Sequence, residues 1–185
     1  MRRLCSVDGF VVWLTGLPSS GKTTIARVLE RELRGRGLRV ELLDGDEVRR
    51  WLSPEAGFSR GDRERHLRRV AYVSKLLARN GVAVIASFVS PYRSVRDEAR
   101  RLVEDEGLKF VEVYVRCPVE VCVQRDVKGL YRKALSGEIK DMTGVQDPYE
   151  EPLNPEVVVE TDRMAVEECA GKILDKLVEL GCLTA

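Results

Sequence analysis

The segment Gly16-Leu17-Pro18-Ser19-Ser20-Gly21-Lys22-Thr23 constrains this chain more than any other stretch, because it is a complete phosphate-binding loop in the setting such a loop needs. Ahead of it runs the apolar stretch Phe10-Val11-Val12-Trp13-Leu14-Thr15, which reads as a buried strand. Behind it Ile25, Val28, Leu29 and Leu33 recur at helical spacing. Strand, loop and helix in that order turn the loop's backbone N–H groups and the positive end of the helix toward one anion. Lys22 can then reach the β- and γ-phosphates, and the Thr23 hydroxyl is available to Mg²⁺. The loop, from Gly16 through Thr24, is expected to bind a nucleoside triphosphate.

A phosphate loop names a nucleotide and not a reaction, so composition must limit the alternatives. With 185 residues, 44% of them hydrophobic, the chain can bury one full core and has no room for a second catalytic domain. One domain over residues 1–185 is expected. The net charge of +1 gives no general surface for nucleic acid. No signal-peptide pattern opens the sequence, and the apolar run from Val82 to Val89 is far shorter than the ~20 residues of a membrane span. The expectation is a soluble, cytoplasmic protein with a small ligand. The five cysteines, Cys5, Cys117, Cys122, Cys169 and Cys182, have no C-x-x-C spacing, and His66 is the sole histidine, so a zinc site is not expected and core packing is the plain reading of the thiols. A 33% charged content with only Asn80, Asn154, Gln124 and Gln146 as amides is a bias seen in proteins from very hot environments. There intracellular disulfides do occur.

Strand and helix patterns alternate along the chain. Leu38 to Leu43 reads as a second strand ending at Asp44-Gly45-Asp46, Ser59 to Asn80 as a long helix closed by Gly81, Val82 to Phe88 as a third strand, Phe110 to Val115 as a fourth and Val157 to Val159 as a fifth. Helices carrying Val95, Ala99, Leu102 and Val103, and then Cys169, Ile173, Leu174 and Leu177, fill the gaps. This alternation predicts an α/β, three-layer fold: a five-stranded parallel sheet with helices on both faces and ligands at the carboxyl ends of the strands. Residues 126–150, rich in cations and glycine and poor in core-forming side chains, are expected to form a mobile lid.

The strand ends offer the candidate chemistry. If the extended backbone persists, Asp44 and Asp46, two residues apart, point to the same side. Asp46 is then the candidate base or positioner of an acceptor and Asp44 a supporting residue, although a turn explains the same three letters. Arg49 and Arg63, with Arg65, Arg68 and Arg69, can capture an anionic acceptor. For the last three a solvated helix face is the better reading. Phe58, in a Gly-rich stretch, can stack on a base or pack under a loop.

At this point the residues carry a resemblance. Gly57-Phe58-Ser59 with Asp62-Arg63, Ser90-Pro91-Tyr92-Arg93, Arg125-Asp126 with Lys128-Gly129-Leu130-Tyr131, and Thr143-Gly144, following the phosphate loop and Asp44-Gly45-Asp46 in this order, resemble the successive motifs of adenylyl-sulfate kinases over nearly the whole chain. The resemblance implies a P-loop kinase that transfers the γ-phosphate of ATP, with Mg²⁺ on Thr23, to the 3′-hydroxyl of adenosine 5′-phosphosulfate (APS). It implies a homodimer whose APS comes from a separate ATP sulfurylase. It also implies roles: Arg125 joins the ATP-binding loop, Asp46 engages the acceptor ribose, Arg49 and Arg63 the phosphosulfate, Phe58 the acceptor adenine, and Lys128 with Leu130 covers both nucleotides. Val89 and His66 belong to the acceptor site by position, His66 standing where the family usually has Asn. A lone histidine on a largely polar helix reads, on its own, as a surface residue. Ser90 matches the serine described in the family as a phosphorylated intermediate. Direct in-line transfer needs no covalent step, so Ser90 is expected to bind the acceptor instead. The alternatives are another small-molecule or nucleoside kinase, or a nucleotide-dependent binding switch; a GTPase-type switch would carry an N-K-x-D segment and a D-x-x-G at the third strand, and neither is present.

Overall fold

The computed structural model describes residues 9–184; Cys5 lies outside them. Five parallel strands lie in the order β2-β3-β1-β4-β5: β1 (Phe10–Thr15), β2 (Val40–Asp44), β3 (Ala83–Ser87), β4 (Lys109–Arg116) and β5 (Val157–Glu160). The central strand β1 pairs with β3 and β4, and all six of its residues are buried. That is why its sequence is a continuous apolar run, since a parallel strand is covered on both faces. Period-two geometry still divides it. Phe10, Val12 and Leu14 pack against α1 (Lys22–Gly35) and α7 (Val166–Glu179), while Val11 and Trp13 pack against α3 (Arg60–Ala78) and α4 (Arg93–Glu104). Each fully buried side chain of this kind contributes about 1.5–3 kcal/mol.

The sheet begins later at β2 than the apolar pattern suggests. Leu38 donates its N–H to Leu33 O at 3.2 Å and closes the C-terminus of α1 rather than entering the ladder, so pairing starts at Val40. A short helix, α2 (Gly45–Leu52), follows β2 where an extended segment or turn was expected. The two helices α5 (Val119–Arg125) and α6 (Leu130–Leu135) lie between β4 and β5. The expectation of few core-forming residues in 126–150 does not hold. Tyr131, Ala134 and Met142 are buried with Cys117 and Cys122 in a small separate core, against which Leu17, Leu130 and Ile139 pack. Arg132 and Lys133, exposed between them on α6, conceal this apolar seam in the sequence. Cys117, Cys122, Cys169 and Cys182 are buried free thiols.

Candidate active site

The carboxyl ends of β1, β2 and β3 open into a cleft of about 870 Å³, roofed by the segment between β4 and β5. Gly21, at φ 95°, leads into α1, and no side chain caps that helix. Its first-turn N–H groups therefore face the cleft mouth without a covalent anion of their own, the arrangement that receives a phosphate. Lys22 is buried, and its Nζ donates to Gly16 O at 2.9 Å and Leu17 O at 2.7 Å, folding the side chain back along its own loop. Burial pushes its pKa down to about 8, with nearby Lys128 adding to the effect and Asp44 opposing it.

Asp44 and Asp46 do share the cleft, but not through an extended backbone. Asp44 Oδ1 accepts from the Asp46 N–H at 3.2 Å and caps α2, whose first turn then carries Asp46. Its other oxygen accepts from the Thr23 hydroxyl at 2.9 Å. One carboxylate thus ties the phosphate loop to the start of α2. Asp46 remains two-thirds exposed and is ion-paired with Lys128, which reaches down from the covering segment.

Among the expected residues, Pro18, Ser19, Gly21, Lys22, Thr23 and Thr24 of the loop line the cleft, as do Asp46, Arg49, Phe58, Arg63, His66, Val89, Arg125, Lys128 and Leu130. Gly16, Leu17 and Ser20 lie beneath it, as parts of the loop's backbone frame. Arg49 stacks its guanidinium on the exposed Phe58 ring, 4.6 Å from the centroid, and donates to Ala56 O. Arg63 donates to Phe58 O at 2.8 Å and to Thr143 and Asp141 O, so it fastens the covering segment while facing the cleft. Arg65 and Arg68 are exposed and paired with Asp62 and Glu98, and Arg69, partly exposed, reaches from α3 to Glu55 and Leu52 O. Arg125 donates to Thr161 O at 2.6 Å.

Two expectations need correction. His66 is not a surface residue: it is 3% exposed, with Nδ1 2.9 Å from Ser53 Oγ and its ring edge-on to Phe88. The polar helix around it hides one inward-facing stripe, and His66 lies on it beside Leu67 and Val70. Ser90 does not offer its hydroxyl to the cleft. It is 2% exposed, and its Oγ accepts a hydrogen bond from Trp13 Nε1 at 3.1 Å, inside the sheet layer.

Several contacts were not foreseen. Tyr131 OH donates to Pro18 O at 3.1 Å, and a Cβ at Gly144 would stand 2.8 Å from Leu17 Cδ2, so the covering segment lies directly on the phosphate loop. Thr161 donates to Ser20 O at 2.9 Å and holds the loop from the β5 side. Tyr131 and Gly144 stand within the motifs that carry the resemblance; Thr161 had no signal beyond ending a strand.

A phosphate loop at the head of a five-stranded parallel sheet, with cations converging from a covering segment, defines a P-loop phosphotransferase. More narrowly, the chain belongs to the adenylylsulphate kinase family, whose model matches residues 8–160. It is 55% identical to a probable adenylyl-sulfate kinase of Aeropyrum pernix, over 88% of this chain and 89% of that one, and 51% identical to an adenylyl-sulfate kinase of Myxococcus xanthus, over 96% and 95%. A Mycobacterium tuberculosis APS kinase solved with AMPPNP and APS superposes with a TM-score of 0.89 at 41% identity, over 92% of this chain and 98% of that one. A Sinorhizobium meliloti gluconokinase shares the fold at 18% identity and a TM-score of 0.62.

Proposed function

We propose that this chain transfers the γ-phosphoryl group of ATP to the 3′-hydroxyl of APS, giving 3′-phosphoadenosine 5′-phosphosulfate. The observation that carries the reading is the convergence, in the cleft of the phosphate loop, of Arg49, Phe58, Arg63, His66, Val89 and Lys128, the residues that resemble the family's acceptor side. The fold alone does not choose an acceptor.

The mechanism follows from the charges. The phosphate-loop amides and Lys22 hold the β- and γ-phosphates and offset the charge that moves toward the leaving oxygen. Thr23 and Asp44, 2.9 Å apart, present hard oxygen donors of the kind Mg²⁺ takes, directly or through its waters. An ion held by them would offset phosphate charge during the transfer. Lys128 leaves Asp46 for the phosphates when nucleotide enters, and the freed carboxylate takes the proton of the 3′-hydroxyl. Arg49 and Arg63 hold the phosphosulfate, and the aromatic face of Phe58 receives the acceptor adenine. In this reading one domain carries the reaction, with 126–150 as the lid. The working form is a cytoplasmic homodimer; among the described residues no helix is long and apolar enough to cross a membrane.

The test is ADP release from Mg-ATP with no acceptor, with APS, and with a panel of nucleosides, gluconate and shikimate. Acceleration by APS alone is expected. Equal or greater acceleration by another acceptor, with none by APS, overturns the assignment.

A further inference from the structure

His66 is the chain's single histidine, and it stands at the end of a hydrogen-bonded chain that begins outside the cleft. Arg69 Nη1 lies 3.1 Å from Ser53 Oγ, and Ser53 Oγ lies 2.9 Å from His66 Nδ1. Arg69 can only donate, so it occupies a lone pair of the Ser53 oxygen. The Ser53 proton then has one acceptor within reach, the Nδ1 of His66. The remaining ring nitrogen, Nε2, is buried without any partner, while the ring itself lines the cleft. A buried polar atom without a partner is costly in a finished structure unless a ligand supplies one.

We propose that Arg69 and Ser53 are positioning residues that fix His66 as the neutral Nε2–H tautomer, so that it presents a hydrogen-bond donor, and no acceptor, to a lone pair of the acceptor nucleotide. This rests on the cleft being the APS site. It adds a specificity that an amide at the same place lacks, since an amide turned either way offers donor or acceptor. The charges around the ring favour the neutral form. Arg49 on α2 and Arg69 on α3 both disfavour an imidazolium, and Glu55 after α2, the one facing carboxylate, is itself engaged by Arg69 at 2.5 Å. The apolar face of Phe88 closes the β3 side.

The sole histidine makes the tautomer directly readable. In protein labelled with ¹⁵N-histidine, two-bond ¹H–¹⁵N correlation spectra without ligand should show Nδ1 unprotonated and Nε2 protonated from pH 5.5 to 8. Adding APS together with ADP should move the Nε2 signal; ADP alone should not. His66→Leu should raise the KM for APS about tenfold, the loss of one hydrogen bond, with the KM for ATP unchanged within twofold. Ser53→Ala should produce a mixture of tautomers and a smaller rise in the same KM. An Nδ1–H tautomer, an imidazole titrating near pH 6.5, or an Nε2 signal indifferent to APS overturns the proposal. The spectra without ligand stand apart from turnover, so a failure of APS as acceptor would be seen separately.

Discussion

Trp13 Nε1 donates a hydrogen bond to Ser90 Oγ across 3.1 Å of fully buried structure, and this contact engages the Ser90 hydroxyl away from the cleft. Ser90 is held in a left-handed backbone conformation, φ 39°, a strain of order 1–3 kcal/mol that persists only where the surroundings impose it. They do so here: Arg96 Nη1 donates to Ser90 O at 2.6 Å, and Arg96 is itself paired with buried Glu112 at 2.8 Å. The hydroxyl thus anchors the turn that places Val89 and Pro91 in the cleft. Ser90→Ala should leave the indole N–H unpaired and cost about 1–3 kcal/mol of stability, measured by denaturant unfolding, while turnover with APS persists. A phosphoenzyme formed from ATP and chased by APS at the catalytic rate would contradict this placement.

Lys22 should report its environment through pH. Its free-state pKa is pushed down to about 8 by burial, and the phosphates of ATP raise it again. Between those two values binding takes up a proton, so ATP affinity should fall as pH rises above about 8. Calorimetry at pH 8.5 in buffers of different ionisation enthalpy should register that uptake, and Lys22→Ala should lack it. The same variant should lose at least ~10²-fold in kcat, about 2.7 kcal/mol of transition-state stabilisation.

His66 makes the opposite end of the pH range informative. Its pKa is held at about 4 by burial and by Arg49 and Arg69, against an ordinary value of 6.5 in the unfolded chain. The unfolded state therefore binds the proton first, and stability falls as pH drops from 6.5 toward 4, by up to about 3 kcal/mol for this group. The stability of the wild type relative to His66→Leu should fall by that amount as acid is added, since only the wild type carries the titrating ring. Parallel curves would show that the ring titrates normally.

Much of this architecture was legible because the signals were local. Phe10 to Thr15, the phosphate loop and Ile25 to Leu33 need no distant partner to declare strand, turn and helix. α2 was not legible, because Asp44-Gly45-Asp46 serves equally as a turn or a helix cap and only Thr23, twenty-one residues away, settles which oxygen goes where. His66 was misjudged because its neighbours along α3 are largely polar, and Ser90 because it stands at a strand end where ligands gather; their neighbours in space, Ser53 and Trp13, are 13 and 77 residues away.

Gly144 tests the contact between the covering segment and the phosphate loop. Its φ of 88° and the 2.8 Å approach to Leu17 Cδ2 leave no unstrained place for a side chain. Gly144→Ala should lower kcat and raise the KM for both nucleotides, by about tenfold in kcat/KM for ~1.4 kcal/mol of misplacement. Steady-state kinetics with each substrate varied in turn reads this, and an effect on one nucleotide alone would place the contact outside the closure of the cleft.

The central claim is the acceptor, and the product carries the answer most directly. Purified protein incubated with Mg-ATP and APS should yield one equivalent of ADP and a nucleotide whose ³¹P spectrum couples the new phosphate to the ribose 3′-proton, with the 5′-phosphosulfate intact. A phosphate at any other position, or APS recovered unchanged while another acceptor is consumed, would contradict the account.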